Sequence, residues 1–376
     1  MLTKKLISEP LQKAGVTLNG SKPYDIRVYD ERLYKWLMLE PSLAAGEGYM
    51  QKWWDCDQLD EFFFRLWRNN QNTNFYNTWA DTFRRFTNIL FNRQSRKRSL
   101  NVAEKHYNLG KDLYTSMLGK SMAYTCGYWK NAKTLDQAQV DKYDLVCRKI
   151  NLKKGDRVLE LGSGWGTFAK FAAENYGAKI SAVNISIEQV RYAQEINKGL
   201  PVELYLCDYR DVNVYNPKKK PFDKVVSIGL CEHVGLHNYR KFMKIALDNL
   251  EESGLFLLHT IGRNNSAYFV DPWINKYIFP NGMLPSLKQL TEAMENLFVL
   301  EDLHNFGPDY DKTLMAWHRN FVEHWPQLQH HYDETFYRMW NFYLLSCAGG
   351  FRARGMQLWQ MVLSPKGVFG GYESVR

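Results

Sequence analysis

Val158-Leu159-Glu160-Leu161-Gly162-Ser163-Gly164-Trp165-Gly166 is the stretch whose reading decides the fold. An apolar strand runs into a glycine loop, after which Phe168, Ala169, Phe171 and Ala172 mark one face of a helix. Glycine lacks the Cβ that holds a ligand off the backbone, so such a loop lets N–H groups approach a nucleoside-like cofactor. The spacing is E-x-G-x-G-x-G, whereas a dinucleotide fingerprint reads G-x-G-x-x-G and seats a pyrophosphate on the helix N-terminus. The Glu160 carboxylate repels a pyrophosphate and suits an amine or sulfonium cation. S-adenosylmethionine is therefore the first candidate cofactor.

Four further strands follow: Lys179 to Val183, Val202 to Leu206, Phe222 to Ile228 and Gly254 to Leu258. Together they predict an α/β, Rossmann-like core over about Asn151 to Gly262. Asn184 ends the second strand, where nucleotide-binding sheets often carry an acid for the ribose hydroxyls; an amide also hydrogen-bonds there, and Gln189 is a second candidate. Asp208 follows the third strand and is placed to accept from an adenine amine. Ligands of open α/β sheets lie beyond the carboxyl ends of the strands, and both Glu232 and His259 fall there.

With 376 residues, 45% hydrophobic, the chain can bury a large core. No run approaches the roughly 18 apolar residues of a membrane span, and Met-Leu-Thr-Lys-Lys does not lead into a signal-like block. A cytoplasmic protein touching membranes only at a surface is expected. Six scattered cysteines have neither disulfide nor zinc spacing, so no metal is expected. The net charge of +9 points to nucleic acid or an anionic bilayer as partner.

Residues 1–90 read as a small helical domain, with Leu33, Trp36 and Leu37 on one helix face and Leu59, Phe62, Phe63, Leu66 and Trp67 on another. Residues 91–100 form a basic linker containing Arg93, Arg96, Lys97 and Arg98. Residues 101–376 are the catalytic region, with helices predicted over Thr313 to Trp325 and Tyr332 to Cys347 and a closing strand over Met356 to Ser364. Within it, about 263–298 is a long connection in which Trp273, Ile274, Tyr277, Ile278 and Phe279 lie between Pro272 and Pro280. So apolar a segment implies a cover over something apolar. It also lacks the basic interleaving of a single-stranded nucleic-acid platform, which argues against nucleic acid as partner.

Taken singly, Cys126 reads as a small buried hydrophobe, Tyr310 as a loop aromatic, and His233 with His237 as structural, since no third ligand accompanies them. Arg352 and Arg354 are either solvated or a phosphate clamp.

The segments together resemble the cyclopropane-fatty-acyl-phospholipid synthase family, almost end to end. The resemblance rests on Gly46-Glu47-Gly48-Tyr49-Met50, His106-Tyr107-Asn108-Leu109-Gly110, Cys231-Glu232-His233-Val234-Gly235, Leu258-His259-Thr260-Ile261-Gly262, Tyr277-Ile278-Phe279-Pro280-Asn281-Gly282 and Phe351-Arg352-Ala353-Arg354. It implies a class I methyltransferase core with helical lipid-pocket insertions, and S-adenosylmethionine as cofactor. Tyr124, Thr125, Gly162, Gly164, Gln189, Cys207 and Asp208 would contact that cofactor. A bicarbonate ion would act as general base in a pocket of Cys126, Glu232, His259, Tyr310 and the Ile261 backbone. The resemblance further implies a homodimer working on phospholipids at the inner face of the cytoplasmic membrane, converting a cis alkene into a cyclopropane. Glu232 favours ring closure over an uncyclised methyl branch. Ser163, Asn184 and Cys207 depart from residues frequent in the family, and the last two alter hydrogen bonds expected at the cofactor.

Overall fold

A computed structural model describes residues 2–69, 94, 110–215, 220–268 and 270–376. Its central sheet contains β1 Arg157–Leu161, β2 Lys179–Asn184, β3 Val202–Leu206, β4 Phe222–Ile228, β5 Leu250–Arg263, β6 Val299–Asn305 and β7 Met356–Ser364. The spatial order is β3-β2-β1-β4-β5-β7-β6. Neighbours from β3 to β5 run parallel, whereas β7 is antiparallel to both β5 and β6. Strand order reverses between β1 and β4, the switch point where open sheets leave a crevice. β1 is buried along four of its five residues, as a parallel strand covered on both faces must be, which accounts for its Val-Leu-Glu-Leu run.

Among the described residues, the helices of six residues or more are α1 Leu2–Lys13, α2 Arg32–Leu39, α3 Pro41–Met50, α4 Leu59–Asn69, α5 Lys111–Leu118, α6 Leu135–Lys149, α7 Thr167–Tyr176, α8 Ile187–Ile196, α9 Tyr239–Asp248, α10 Pro272–Tyr277, α11 Leu287–Met294, α12 Pro308–Leu328 and α13 Glu334–Arg352. Local chemistry sets several starts. The Thr134 hydroxyl accepts from Gln137 N–H to cap α6, Asp333 accepts from Phe336 N–H to cap α13, and Ser286 with Gln289 forms a capping box at α11.

One sheet face packs Val158, Ile180, Phe168 and Ala169; the other packs Leu159, Phe242, Met243 and Phe256. The N-terminal helices share their core with the catalytic part: Leu33, Trp54, Phe62 and Phe63 lie in one cluster with Trp273, Trp317 and Phe342. Phe342 is at its centre, with ring centroids 4.6 Å from Trp273, 5.2 Å from Phe63 and 5.7 Å from Tyr49. Arg338 reinforces the junction by donating to the Tyr49 carbonyl at 2.6 Å.

Arg352 and Arg354 are internal, not phosphate clamps. Arg352 bonds both Asp311 carboxylate oxygens at 3.0 Å and lies 2.9 Å from Asp60, joining α4, α12 and α13; Arg354 donates to Gln357 at 2.6 Å. The basic linker residues Arg93, Arg96, Lys97 and Arg98, and the His106 to Leu109 motif, lie outside the described residues. No described helix is long and apolar enough to cross a membrane.

Candidate active site

Beyond the carboxyl ends of β1, β2, β4 and β5 lies a cavity of about 920 Å³. Its wall brings together Tyr124, Thr125, Glu160, Gly162, Gly164, Asn184, Gln189, Glu232, His259, Ile261, Tyr310, Trp273, Ile274 and Phe279. Cys126, Cys207, Asp208, Tyr277 and Ile278 do not line it.

At the glycine loop, Gly162, Gly164 and Gly166 all have positive φ, at 86°, 52° and 77°. The N–H groups of Gly162 and Ser163, expected to face a ligand, instead donate to the Val183 carbonyl at 3.1 and 3.0 Å, because the loop continues the β1–β2 pairing. What opens to the cleft is the Gly164 Cα, where an added Cβ would meet nothing within 4 Å. Beside it, Glu160 Oε2 and Ser163 Oγ are buried with no hydrogen-bond partner among the described residues. Burial pushes the Glu160 carboxyl up to about 8, opposed by the nearby Lys142 ammonium. An unpartnered carboxylate oxygen and hydroxyl beside an open glycine face suit a nucleoside ligand carrying a cationic amino-acid end, so these residues fit S-adenosylmethionine.

Asn184 differs from its expected part. Both its amide hydrogens are used, donating to the Gly164 carbonyl and Gln189 Oε1 at 2.9 Å, so it holds the loop and its neighbouring candidate. Asp208 accepts from the Arg210 side chain at 2.6 and 2.7 Å and caps a short turn, set back from the wall. Cys207 donates its N–H to the Asn184 carbonyl at 2.9 Å.

At the opposite polar end, the turn after β4 carries Glu232, whose Oε1 accepts from Ile261 N–H at 2.7 Å. The Ile261 backbone thus fixes the carboxylate. Among the described residues, neither Glu232 Oε2 nor His259 Nε2, both buried, has a hydrogen-bond partner. Burial pushes Glu232 up to about 7, with the Ile261 N–H as the main opposing influence. His259 is driven well below its ordinary value by burial, then by Lys142 and Lys149, which keeps the imidazole neutral. Gln360 on β7 lies 3.3 Å from His259 Nδ1 and orients the ring.

Tyr310 is on the first turn of α12, not in a loop, and stacks on Phe351 at 4.5 Å. Burial raises its hydroxyl well above 10, and the influence of Cys126 and Glu232 on it places all three close together. Cys126 is fully buried, its thiol donating to the Gly127 carbonyl at 3.2 Å; burial holds it neutral. It stands behind the pocket, as its small-hydrophobe reading expects.

The rest of the cavity is apolar. Trp273, Ile274 and Phe279 form part of its roof, continued by Phe342, Phe62, Leu37 and Ile7 toward the N-terminal helices. Tyr277, one helical turn on from Trp273, packs against its ring at 5.5 Å, and Ile278 is buried in the core. Gly46 in α3 has no Cβ, and one there would overlap the Trp273 indole. Within 263–298, Arg263, Asn264, Asn265 and residues between Val270 and Leu284 line the cavity, whereas the capping box at Ser286 starts α11, which packs Leu290 and Met294 against the sheet-face core.

Two wall or near-wall residues, Lys142 and Gln360, escaped the sequence reading, and His233, read there as structural, also lines the wall. Lys142 carried a usable signal. It shares with Leu135, Ala138, Leu145 and Lys149 the helical spacing of a buried face, where a solvated lysine has no reason to be. His233 is buried, pushed down to about 4, and meets Phe279 edge-on at 6.0 Å.

Residues 94–361 match the family described as Mycolic acid cyclopropane synthetase. A cyclopropane-fatty-acyl-phospholipid synthase of Escherichia coli is 47% identical over 99% of this chain and 96% of its own. The chain belongs to the cyclopropane synthase family. A probable fatty acid methyltransferase of Pseudomonas putida is 35% identical over 68% of this chain and 67% of its own. Among solved structures, the cyclopropane synthase MmaA2 of Mycobacterium tuberculosis aligns at TM-score 0.65 and 26% identity, covering 70% of this chain and 97% of the other. A mycolic acid cyclopropane synthase complexed with SAH and CTAB aligns at 0.64 and 27%, with the same coverage. Membership makes this cyclopropane synthase an S-adenosylmethionine-dependent methyltransferase, in agreement with the sheet order and glycine loop.

Proposed function

We propose that this enzyme transfers the methyl of S-adenosylmethionine to the cis double bond of an unsaturated phospholipid acyl chain and closes a cyclopropane ring, with bicarbonate as general base. The observation that carries this reading is the pair of unpartnered buried atoms, Glu232 Oε2 and His259 Nε2, on one wall of a cavity that is otherwise apolar. A small anion with its own hydroxyl satisfies such a pair: it donates to the carboxylate and accepts from the imidazole.

S-adenosylmethionine supplies an electrophilic methyl group when bound. The Glu160 carboxylate, Gly164, Thr125 and Gln189 hold and orient it, so proximity is the main source of rate for a weak alkene nucleophile. Methyl addition leaves positive charge on the acyl chain, and loss of one proton from the new methyl closes the ring. Glu232, Tyr310 and neutral His259 would hold a bicarbonate ion, which would supply the general base for that proton. Water would trap the cation as an alcohol, and Trp273, Ile274 and Phe279 exclude it.

The apolar lining reaches Leu6 and Met38, both exposed on α1 and α2, beside exposed Lys4, Lys5 and Lys35. That rim supports entry of an acyl chain from an anionic surface, each well-placed lysine contributing about 1 kcal/mol. The enzyme so read works as a homodimer in the cytoplasm, peripheral on the inner face of the cytoplasmic membrane. The 35% identity to a fatty acid methyltransferase keeps an uncyclised methyl-branched product as the second reading. Incubation with cis-unsaturated phospholipid vesicles and labelled cofactor, with and without bicarbonate, followed by mass analysis of the acyl chains, tests both. A gain of one CH₂ with loss of the alkene, dependent on bicarbonate, is expected; a methyl branch or bicarbonate-independent turnover refutes the corresponding part.

A further inference from the structure

α6 buries two lysines completely. Lys149 has its counter-charge, Asp302, at 3.2 Å. Lys142 makes no ion pair among the described residues: its ammonium donates to two neutral groups, Thr125 Oγ1 and Gln139 Oε1, both at 2.8 Å, and rests 4.2 Å from the centroid of the Tyr143 ring. Burying an ammonium among neutral groups is costly unless an anion arrives. Thr125 is held on every side. Gln139 donates to its carbonyl at 2.8 Å, and its methyl rests on Gly229, where an added Cβ would come within 2.7 Å. Because Thr125 Oγ1 accepts from Lys142, its own proton is turned away from Lys142, and Thr125 lines the cavity. In the same wall, and electrostatically coupled to Lys142, is Glu160 with its unpartnered Oε2.

We propose that Lys142 is a positioning residue that acts through the Thr125 hydroxyl to select the α-carboxylate of the cofactor's amino-acid end, while Glu160 takes the α-ammonium. This rests on the S-adenosylmethionine reading. The pair is thereby built for a zwitterion. Burial lowers Lys142 to about 7 and raises Glu160 to about 8, so without ligand both drift toward their neutral forms. The ligand's two charges favour the charged form of each, moving protonation from Glu160 toward Lys142 so that little net proton is exchanged with solvent. Cys126 and His259, the other ionisable groups coupled to Lys142, are each held neutral by burial and do not join this exchange.

The test is calorimetric titration of the full-length protein with two nucleosides: S-adenosylhomocysteine, which carries the zwitterion, and 5′-methylthioadenosine, which lacks it. Lys142→Met and Thr125→Val are each expected to weaken S-adenosylhomocysteine by at least about tenfold, the scale of one charge-assisted hydrogen bond, with 5′-methylthioadenosine changed less than about twofold. The double variant should be no weaker than the single ones, and Thr125→Ser should restore binding. Repeating the titrations in buffers of different ionisation enthalpy should give near-zero proton exchange for the native enzyme and release of up to about one proton for Lys142→Met, since Glu160 then discharges to solvent. Equal loss of both nucleosides, or unchanged S-adenosylhomocysteine binding, overturns the assignment; should Lys142→Met fail to fold, Thr125→Val and Thr125→Ser decide it. A native enzyme that binds neither nucleoside overturns the cofactor reading, and this inference with it.

Discussion

Replacing Glu232 by glutamine should make the enzyme more stable and far less able to close a ring. The folded-state carboxyl is raised from 4.5 to about 7, chiefly by burial. A group raised in this way contributes most below its unfolded value, and that contribution is lost as pH climbs through the folded one. Each pH unit separating the two values is worth about 1.4 kcal/mol, so native stability should fall by roughly 3 kcal/mol between pH 4.5 and 7 on account of this group alone. Glutamine keeps an oxygen for the Ile261 N–H and carries no titration. The difference between Glu232→Gln and the native enzyme should therefore grow from near zero at pH 4.5 to roughly 3 kcal/mol at pH 7 and then level off. For a chain of this size that is a rise in Tm of about 4 °C. Unfolding in urea at a series of pH values measures it directly. Parallel pH–stability curves would show that folding does not disfavour the charged carboxyl, and the reasoning would fail. Activity should move the other way. The carboxylate is the working form in the proposed reaction, so ring formation in the native enzyme should rise as pH passes about 7, and the variant should fall short by about 10²-fold or more above pH 7 and by progressively less below it, while binding S-adenosylhomocysteine as before.

Gly164→Ala places a Cβ on a residue with φ of 52°, costing about 1 kcal/mol of stability, and directs it into the open cleft; melting curves should show a modest loss and calorimetry a larger one in S-adenosylhomocysteine affinity. Gly46→Val overlaps the Trp273 indole, so it should destabilise by about 1–3 kcal/mol and reduce turnover of vesicle lipid while nucleoside binding persists. Asp302→Asn leaves the buried Lys149 ammonium, and Arg376 at 2.6 Å, without their shared carboxylate; a loss of about 3 kcal/mol or more in urea unfolding is expected, and a loss below about 1 kcal/mol would mean the pair is not sealed from water.

How much was legible follows from where the physics is local. The glycine loop, four of the parallel strands and the strand-end placement of Glu232 and His259 all rest on short-range pattern, and the structure has them at the expected positions. β6 was missed because Glu301, Asp302 and His304 interrupt its apolar alternation, and a register shift between Leu300 and Asp302 breaks the period on an edge strand. The helix expected to stop at Cys347 runs to Arg352, because Gly349 lets α13 press against the α4 backbone at Asp60 and Phe64; tertiary contact overrides the weak helical preference of a glycine pair. The same cause hid half of the site. Thr125 and Cys126 come from a segment before the glycine loop and meet it only through packing across α6, so only the family resemblance pointed to them, while the spacing around Lys142 marks a buried helix face and not its link to Thr125.

That division has a mechanistic consequence. The groups readable from strand ends, Glu232 and His259, are those assigned to the reacting end under the proposed function, while Lys142, whose charge lowers His259, also reaches Thr125 at the proposed cofactor end. One buried ammonium therefore electrostatically couples the two ends: charging Lys142 when a zwitterionic ligand binds depresses His259 further and keeps its imidazole neutral as the anion pocket is completed. Titration of the His259 ring by NMR should accordingly show its pKa lower in the S-adenosylhomocysteine complex than in the free enzyme, and the difference should vanish in Lys142→Met. A His259 pKa raised by the ligand would place the compensating charge elsewhere.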